Sequence, residues 1–162
     1  MGLEAENTPL AATLKQKLSS LALPIPEAGN GSVVASQITG KTFVLGLNDR
    51  HLKTMNFQFK DSVCHVSMMI DSNRYDFSFG SGQWIPGETT LHGPNLLLLA
   101  KAHFVGLPPA KVVGSFCWKD ENTLELVLRY IESPHTETIT CRFDKNFEAN
   151  IIRPELKGVA KD

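Results

Sequence analysis

Two hydrophobic periodicities divide the chain. Near the start, Leu10, Leu14, Leu18 and Leu21 recur at helical spacing. Thr8 followed by Pro9 supplies an N-cap and a favoured first helical residue. The spacing predicts a short helix that ends at Leu23-Pro24-Ile25-Pro26-Glu27, because a residue before proline avoids the helical region. Ala28-Gly29-Asn30-Gly31-Ser32 then reads as a flexible linker. So short a helix is not stable alone in water, and its leucine face needs a partner surface.

From Ile38 onward the period is two. Thr42-Phe43-Val44-Leu45 opens the strands. Met55, Phe57 and Phe59 alternate with Asn56, Gln58 and Lys60, and Cys64, Val66, Met68 and Ile70 with His65 and Ser67. Tyr75, Phe77 and Phe79 alternate with Arg74, Asp76 and Ser78. Leu124, Leu126, Leu128 and Tyr130 alternate with Glu125, Val127 and Arg129, and Ile139, Cys141 and Phe143 with Thr138, Thr140 and Arg142. Such alternation marks strands with one apolar face. Turn residues punctuate it at Lys60-Asp61, Asp71-Ser72-Asn73, Gly80-Ser81-Gly82, Lys119-Asp120-Glu121-Asn122 and Asp144-Lys145-Asn146. The expected fold is mostly β: an antiparallel barrel of about eight strands with a short N-terminal helix, closure removing exposed edges. Residues 1–37 form the helix and its Pro/Gly linker, 38–153 the β-barrel and 154–162 a tail. The stretch 96–113 carries the weakest pattern and fits one more strand or a loop around Gly106-Leu107-Pro108-Pro109.

Composition narrows the function. At 162 residues and 42% hydrophobic, the chain suits one globular domain that needs no metal or disulfide staple. The net charge is −1 with Lys and Arg scattered, so no basic stripe supports nucleic-acid binding. Leu96-Leu97-Leu98-Leu99-Ala100 is the longest apolar run, far short of a membrane span. No charged-then-apolar leader opens the sequence, and Glu6 stands where N-myristoylation wants Ser or Thr. Cys64, Cys117 and Cys141 are an odd set without a CxxC pair and read as buried thiols.

Catalytic signatures are missing. No serine is followed three residues later by lysine, and Gly-x-Ser-x-Gly does not occur. Cys64 and His65 are neighbours on a strand and point to opposite faces. His51, His65, His92, His103 and His135 form no metal-ligand pattern, and Glu125 with Glu137 is no signal in a chain with 17 Asp and Glu residues. Gly80-Ser81-Gly82 joins strands and lacks the helix that a phosphate loop requires. No catalytic residue, metal site or cofactor is expected.

Two groups of residues remain. Met55, Phe57, Phe77, Trp118 and Tyr130 lie on the apolar face, where side chains either pack the barrel solid or line a ligand cavity. The run Arg129-Tyr130-Ile131-Glu132-Ser133-Pro134-His135-Thr136-Glu137 concentrates charged, aromatic and imidazole groups on one hairpin. It is either a rigid solvated turn, with Arg129 paired to Glu137 or Glu132, or a docking surface formed by Arg129, Glu132 and His135. Gly82-Gln83-Trp84 matches the Gly-x-Trp signature of lipocalin first strands, but it follows several strands and does not make the chain a lipocalin.

Four stretches carry a resemblance. They are Leu21-Ala22-Leu23-Pro24-Ile25-Pro26-Glu27, Ile38-Thr39-Gly40-Lys41-Thr42-Phe43, the stretch from Trp118 to Leu126, and above all Arg129 to Phe143. Together, across residues 10–152, they resemble the C-terminal lipocalin-like barrel of β-lactamase-related serine hydrolases, the class C and penicillin-binding-protein-like enzymes. In that family a preceding catalytic domain carries the nucleophilic serine, the lysine and the tyrosine. Nothing here matches it, so no catalytic residue carries over. Asn150-Ile151-Ile152-Arg153-Pro154 also departs from the family's Phe-Gly-Pro-like closing strand, which leaves the last strand's pairing open. The resemblance implies a non-catalytic accessory barrel whose partner is the catalytic domain of a parent hydrolase; it favours a bacterial parent, periplasmic or exported, while the sequence itself leaves the compartment open. An exported parent would permit a Cys117–Cys141 or Cys64–Cys141 bridge. The rival expectation is a free-standing barrel that holds a small apolar ligand.

Overall fold

The computed structural model describes residues 8–20, 23–24, 26–28, 31–48, 50–91, 108–143 and 155–157. Among the described residues, two helices, α1 (Thr8–Ser20) and α2 (Val33–Ile38), precede nine strands. These are β1 (Thr42–Val44), β2 (Leu52–Lys60), β3 (Val63–Ile70), β4 (Asn73–Ser81), β5 (Ile85–Thr89), β6 (Ala110–Trp118), β7 (Thr123–Tyr130), β8 (Thr136–Arg142) and β9 (Glu155–Lys157). They form one curled, mostly antiparallel sheet, a half-barrel, with the hydrogen-bonded path β1-β2-β3-β4-β6-β7-β8-β9.

The period-two pattern sets the register. Two-residue turns join β2 to β3 and β3 to β4, with Asp61 and Asp71 at φ 53° as the first turn residue of each. A positive φ at that position alone is the type II′ arrangement, whose twist matches paired strands. Inward residues therefore line up in rows across the strands: Met55–Met68–Tyr75, Phe57–Val66–Phe77 and Phe59–Cys64–Phe79. Beyond the junction the rows run Trp118–Leu124–Cys141, Phe116–Leu126–Ile139 and Gly114–Leu128–Glu137.

The junction is a parallel pairing of two strands. β4 meets β6 over Gly80–Ser115 and Ser81–Phe116. The chain then reverses through Gly82, at φ 64°, and β5 runs back along the first half of β6, from Ile85 beside Gly114 to Thr89 beside Ala110. β4 crosses β6 so closely that a Cβ on Gly114 would strike the Ser78 carbonyl oxygen. The N-terminal segment lies over this reversal. Trp84 Nε1 donates to the Pro24 carbonyl at 2.9 Å.

Part of the segment read as linker is structured. Ser32 Oγ accepts from the Val34 amide at 3.0 Å and caps α2, whose Val34 and Ile38 are buried in the core. Ser32 Oγ also donates to the Glu121 carbonyl at 2.6 Å, which ties α2 to the β6–β7 turn. Phe43 after α2 stacks edge-on against Phe143 after β8, ring centroids 5.5 Å apart. Side chains thus join β1 to the end of β8 across the curl of the sheet. By contrast Leu10, Leu14 and Leu18 on α1 stay 57–64% exposed. The strand-or-loop stretch is resolved for β6; residues 92–107, the turn at 144–146 and the tail at 150–154 lie outside the described residues. No helix among the described residues is long and apolar enough to cross a membrane.

Candidate binding site at the open end of the half-barrel

The interior has two unlike ends. At one, Phe43, Phe57 and Phe143 pack edge to face with centroids 5.5–5.7 Å apart, and Trp118 joins Phe143 at 6.0 Å. Phe59 bridges Trp118 and Phe116. Large rings meeting in this way leave that end solid. At the other end the inward side chains are mostly aliphatic and leave space between them. A cavity of about 290 Å³ remains, open to solvent and walled by Leu52, Met68, Ile70, Phe77, Phe79, Leu91, Leu126, Leu128 and Ile139.

One corner of this cavity is polar. Glu137 occupies an inward position on β8 and is only 6% exposed. Arg50, in the turn before β2, reaches across to it, Nη1 to Oε2 at 2.7 Å. Its other oxygen, Oε1, lies 3.1 Å from His135 Nε2. An ionised carboxylate accepts and cannot donate, so that imidazole nitrogen carries the proton. His135 packs its ring on Tyr130 at 5.3 Å, and the Tyr130 hydroxyl donates to the Leu91 carbonyl at 3.0 Å. Burial, with the Glu137 carboxylate second, pushes the Tyr130 phenol well above its ordinary range, so it is a neutral donor. Both Glu137 oxygens are partnered, as a buried carboxylate requires.

The expected site residues are distributed unevenly around this cavity. Phe77 lines it. Tyr130 is buried one row away and braces its rim through Leu91 and His135. Met55, Phe57 and Trp118 are buried outside the cavity wall, the last two within the solid aromatic end. The hairpin residues separate as well. Arg129 sits opposite Thr136 on the other face of the sheet from Glu137, while Glu132 is exposed and lies 3.5 Å from Lys111 Nζ. His135 turns inward. The expected pairing of Arg129 with Glu137 or Glu132 is therefore replaced by Arg50–Glu137 and Lys111–Glu132, because strand parity puts Arg129 and Glu137 on opposite faces. Glu137 carried a legible signal: it shares parity with Ile139, Cys141 and Phe143. Arg50 carried none, since it comes from a turn far away in sequence.

Other chemistry-bearing groups do not converge. Cys64 and Cys141 are buried free thiols and Cys117 is a half-buried one. On the open outer face of β3 and β4, His65 Nδ1 lies 2.9 Å from Ser78 Oγ. Asp76 nearby accepts from Ser67 and Arg74 instead, which hold its carboxyl below the usual range. That geometry lacks the carboxylate that would orient a catalytic histidine. No group of three or more potential metal ligands gathers among the described residues. No family model, curated protein or solved structure matches the chain.

Proposed function

We propose that this chain is a non-catalytic binding module that holds a small, mostly apolar molecule at the open end of its half-barrel. The observation that carries this reading is the contrast between the two ends of one interior. The same strands that pack solid around Phe57 and Phe143 leave about 290 Å³ unfilled between Phe77, Leu128 and Ile139. Apolar walls with a few convergent polar groups are the usual make-up of small-molecule sites, and the volume lies at the small end of their range. A lipocalin-like barrel would use its interior in the same way. The test is saturable binding of a neutral solvatochromic dye, with Phe77→Asp as control. Saturation in the wild type and its loss in the variant support the reading; a linear, non-saturating response counts against it.

A second reading is favoured by a separate observation, the exposed leucine face of α1. In it the barrel is an accessory domain of a β-lactamase-related serine hydrolase, and α1 docks on the catalytic domain. An in-frame upstream domain with a Ser-x-x-Lys motif supports it, and a gene without one opposes it. Hydrolysis of nitrophenyl acetate by the isolated chain well above a denatured control contradicts both readings.

A further inference from the structure

We infer that the molecule held at the open end is an uncharged amphiphile of about ten non-hydrogen atoms, with a hydroxyl or carbonyl oxygen at one end. The inference rests on the binding reading above and specifies its ligand. Size comes first: about 290 Å³, at roughly 30 Å³ for each small group, admits about ten. Head-group charge comes from the polar corner. Arg50 and Glu137 cancel each other at 2.7 Å, and among the described residues no other charged side chain lines the cavity.

Glu137 spends one oxygen on Arg50 and the other on His135. The Arg50 guanidinium gives Glu137 one of its five N–H donors and keeps about a third of its surface open at the rim. A ligand oxygen can accept from those remaining donors, and a hydroxyl can also donate to Glu137. An anionic head would meet Arg50 but also face the Glu137 carboxylate, and a cationic head would face Arg50. Either one puts an unpaired charge beside a neutral pair in a largely apolar wall, which is disfavoured. The uncharged head adds hydrogen bonds without adding charge.

The experiment is competition against the bound dye at pH 8.5 with three eight-carbon probes: octan-1-ol, octanoate and octylammonium. Octan-1-ol is expected to displace the dye at concentrations at least about tenfold lower than either ion. Since any greasy pocket prefers the alcohol, two charge-deletion variants carry the decision. Glu137→Gln leaves Arg50 alone and should improve octanoate relative to octan-1-ol about tenfold; Arg50→Gln should do the same for octylammonium. Ratios unchanged in a folded variant, or octanoate matching octan-1-ol on the wild type, overturn the inference and leave the binding module standing. Failure of all three probes to displace the dye overturns both.

Discussion

Arg50 and Glu137 lie 87 positions apart and meet at 2.7 Å across the mouth of the half-barrel, Nη1 to Oε2. Glu137 is the buried member and Arg50 the half-exposed one. Removing the carboxylate strands a guanidinium beside an apolar wall, whereas replacing both members with apolar groups strands nothing. Glu137→Gln is expected to lower unfolding stability by about 1–3 kcal/mol, less than for a fully buried pair because Arg50 reaches solvent. The double variant Arg50→Met/Glu137→Leu should recover most of that loss. Urea denaturation of Arg50→Met, Glu137→Leu and the double variant measures the coupling.

Gly114 holds the crossing of β4 over β6. Any side chain there meets the Ser78 carbonyl and the Phe79 ring, and backbone cannot swing aside as a flexible side chain can. Gly114→Ala should cost about 1–3 kcal/mol by overpacking, read as a lower thermal midpoint. Gly87→Ala, whose added Cβ would sit at ordinary contact distance from Val112, should change it little.

The three thiols differ in access. Cys117 lies on the outer face within reach of Glu125, while Cys64 and Cys141 are fully buried in the core. Reaction with a thiol reagent at pH 8 should therefore modify one cysteine in the folded protein and all three in denaturant. Mass mapping should place the first adduct on Cys117. Equal labelling of Cys64 would contradict the described packing.

The same burial makes stability sensitive to base. The Cys141 thiol is pushed up to about 12 from an ordinary 9.0 by desolvation, and Cys64 is raised in the same direction by burial and then by Cys141. Above pH 9 the unfolded chain releases protons that the folded chain keeps. The contribution is thus complete below pH 9 and is lost as pH rises toward 12, at up to about 1.4 kcal/mol per pH unit for each thiol. Urea midpoints at pH 8, 9.5 and 10.5 should fall in order, and Cys141→Ala should flatten the slope.

Much of this architecture is readable from the chain because strand parity is a local property. Met55, Phe57, Cys64, Val66 and Phe77 alternate with polar neighbours, and the rows they form across β2, β3 and β4 follow from that alternation and two short turns. The buried helix α2 is less legible, since Val34 and Ile38 make one short pair at helical spacing beside a glycine-rich stretch. The site itself was half visible. Parity puts Phe77 and Glu137 on the inner face, but the division into a solid and an open end depends on where the rings of Phe43, Phe57 and Phe143 meet. That is a property of strands far apart in sequence, as is the approach of Arg50 to Glu137. Residue type and face single out Met55, Phe57 and Trp118 as readily as Phe77, but they do not say which end of a barrel a residue occupies.

The most direct test of the central claim is methyl NMR during a titration with octan-1-ol. Saturable shift changes are expected at Met68, Ile70, Leu128 and Ile139, which wall the open end, with Met55 and Leu124 unmoved in the packed interior. No saturable change up to the solubility limit, or equal changes at Met55 and Leu124, would contradict a binding cavity at the mouth of this half-barrel.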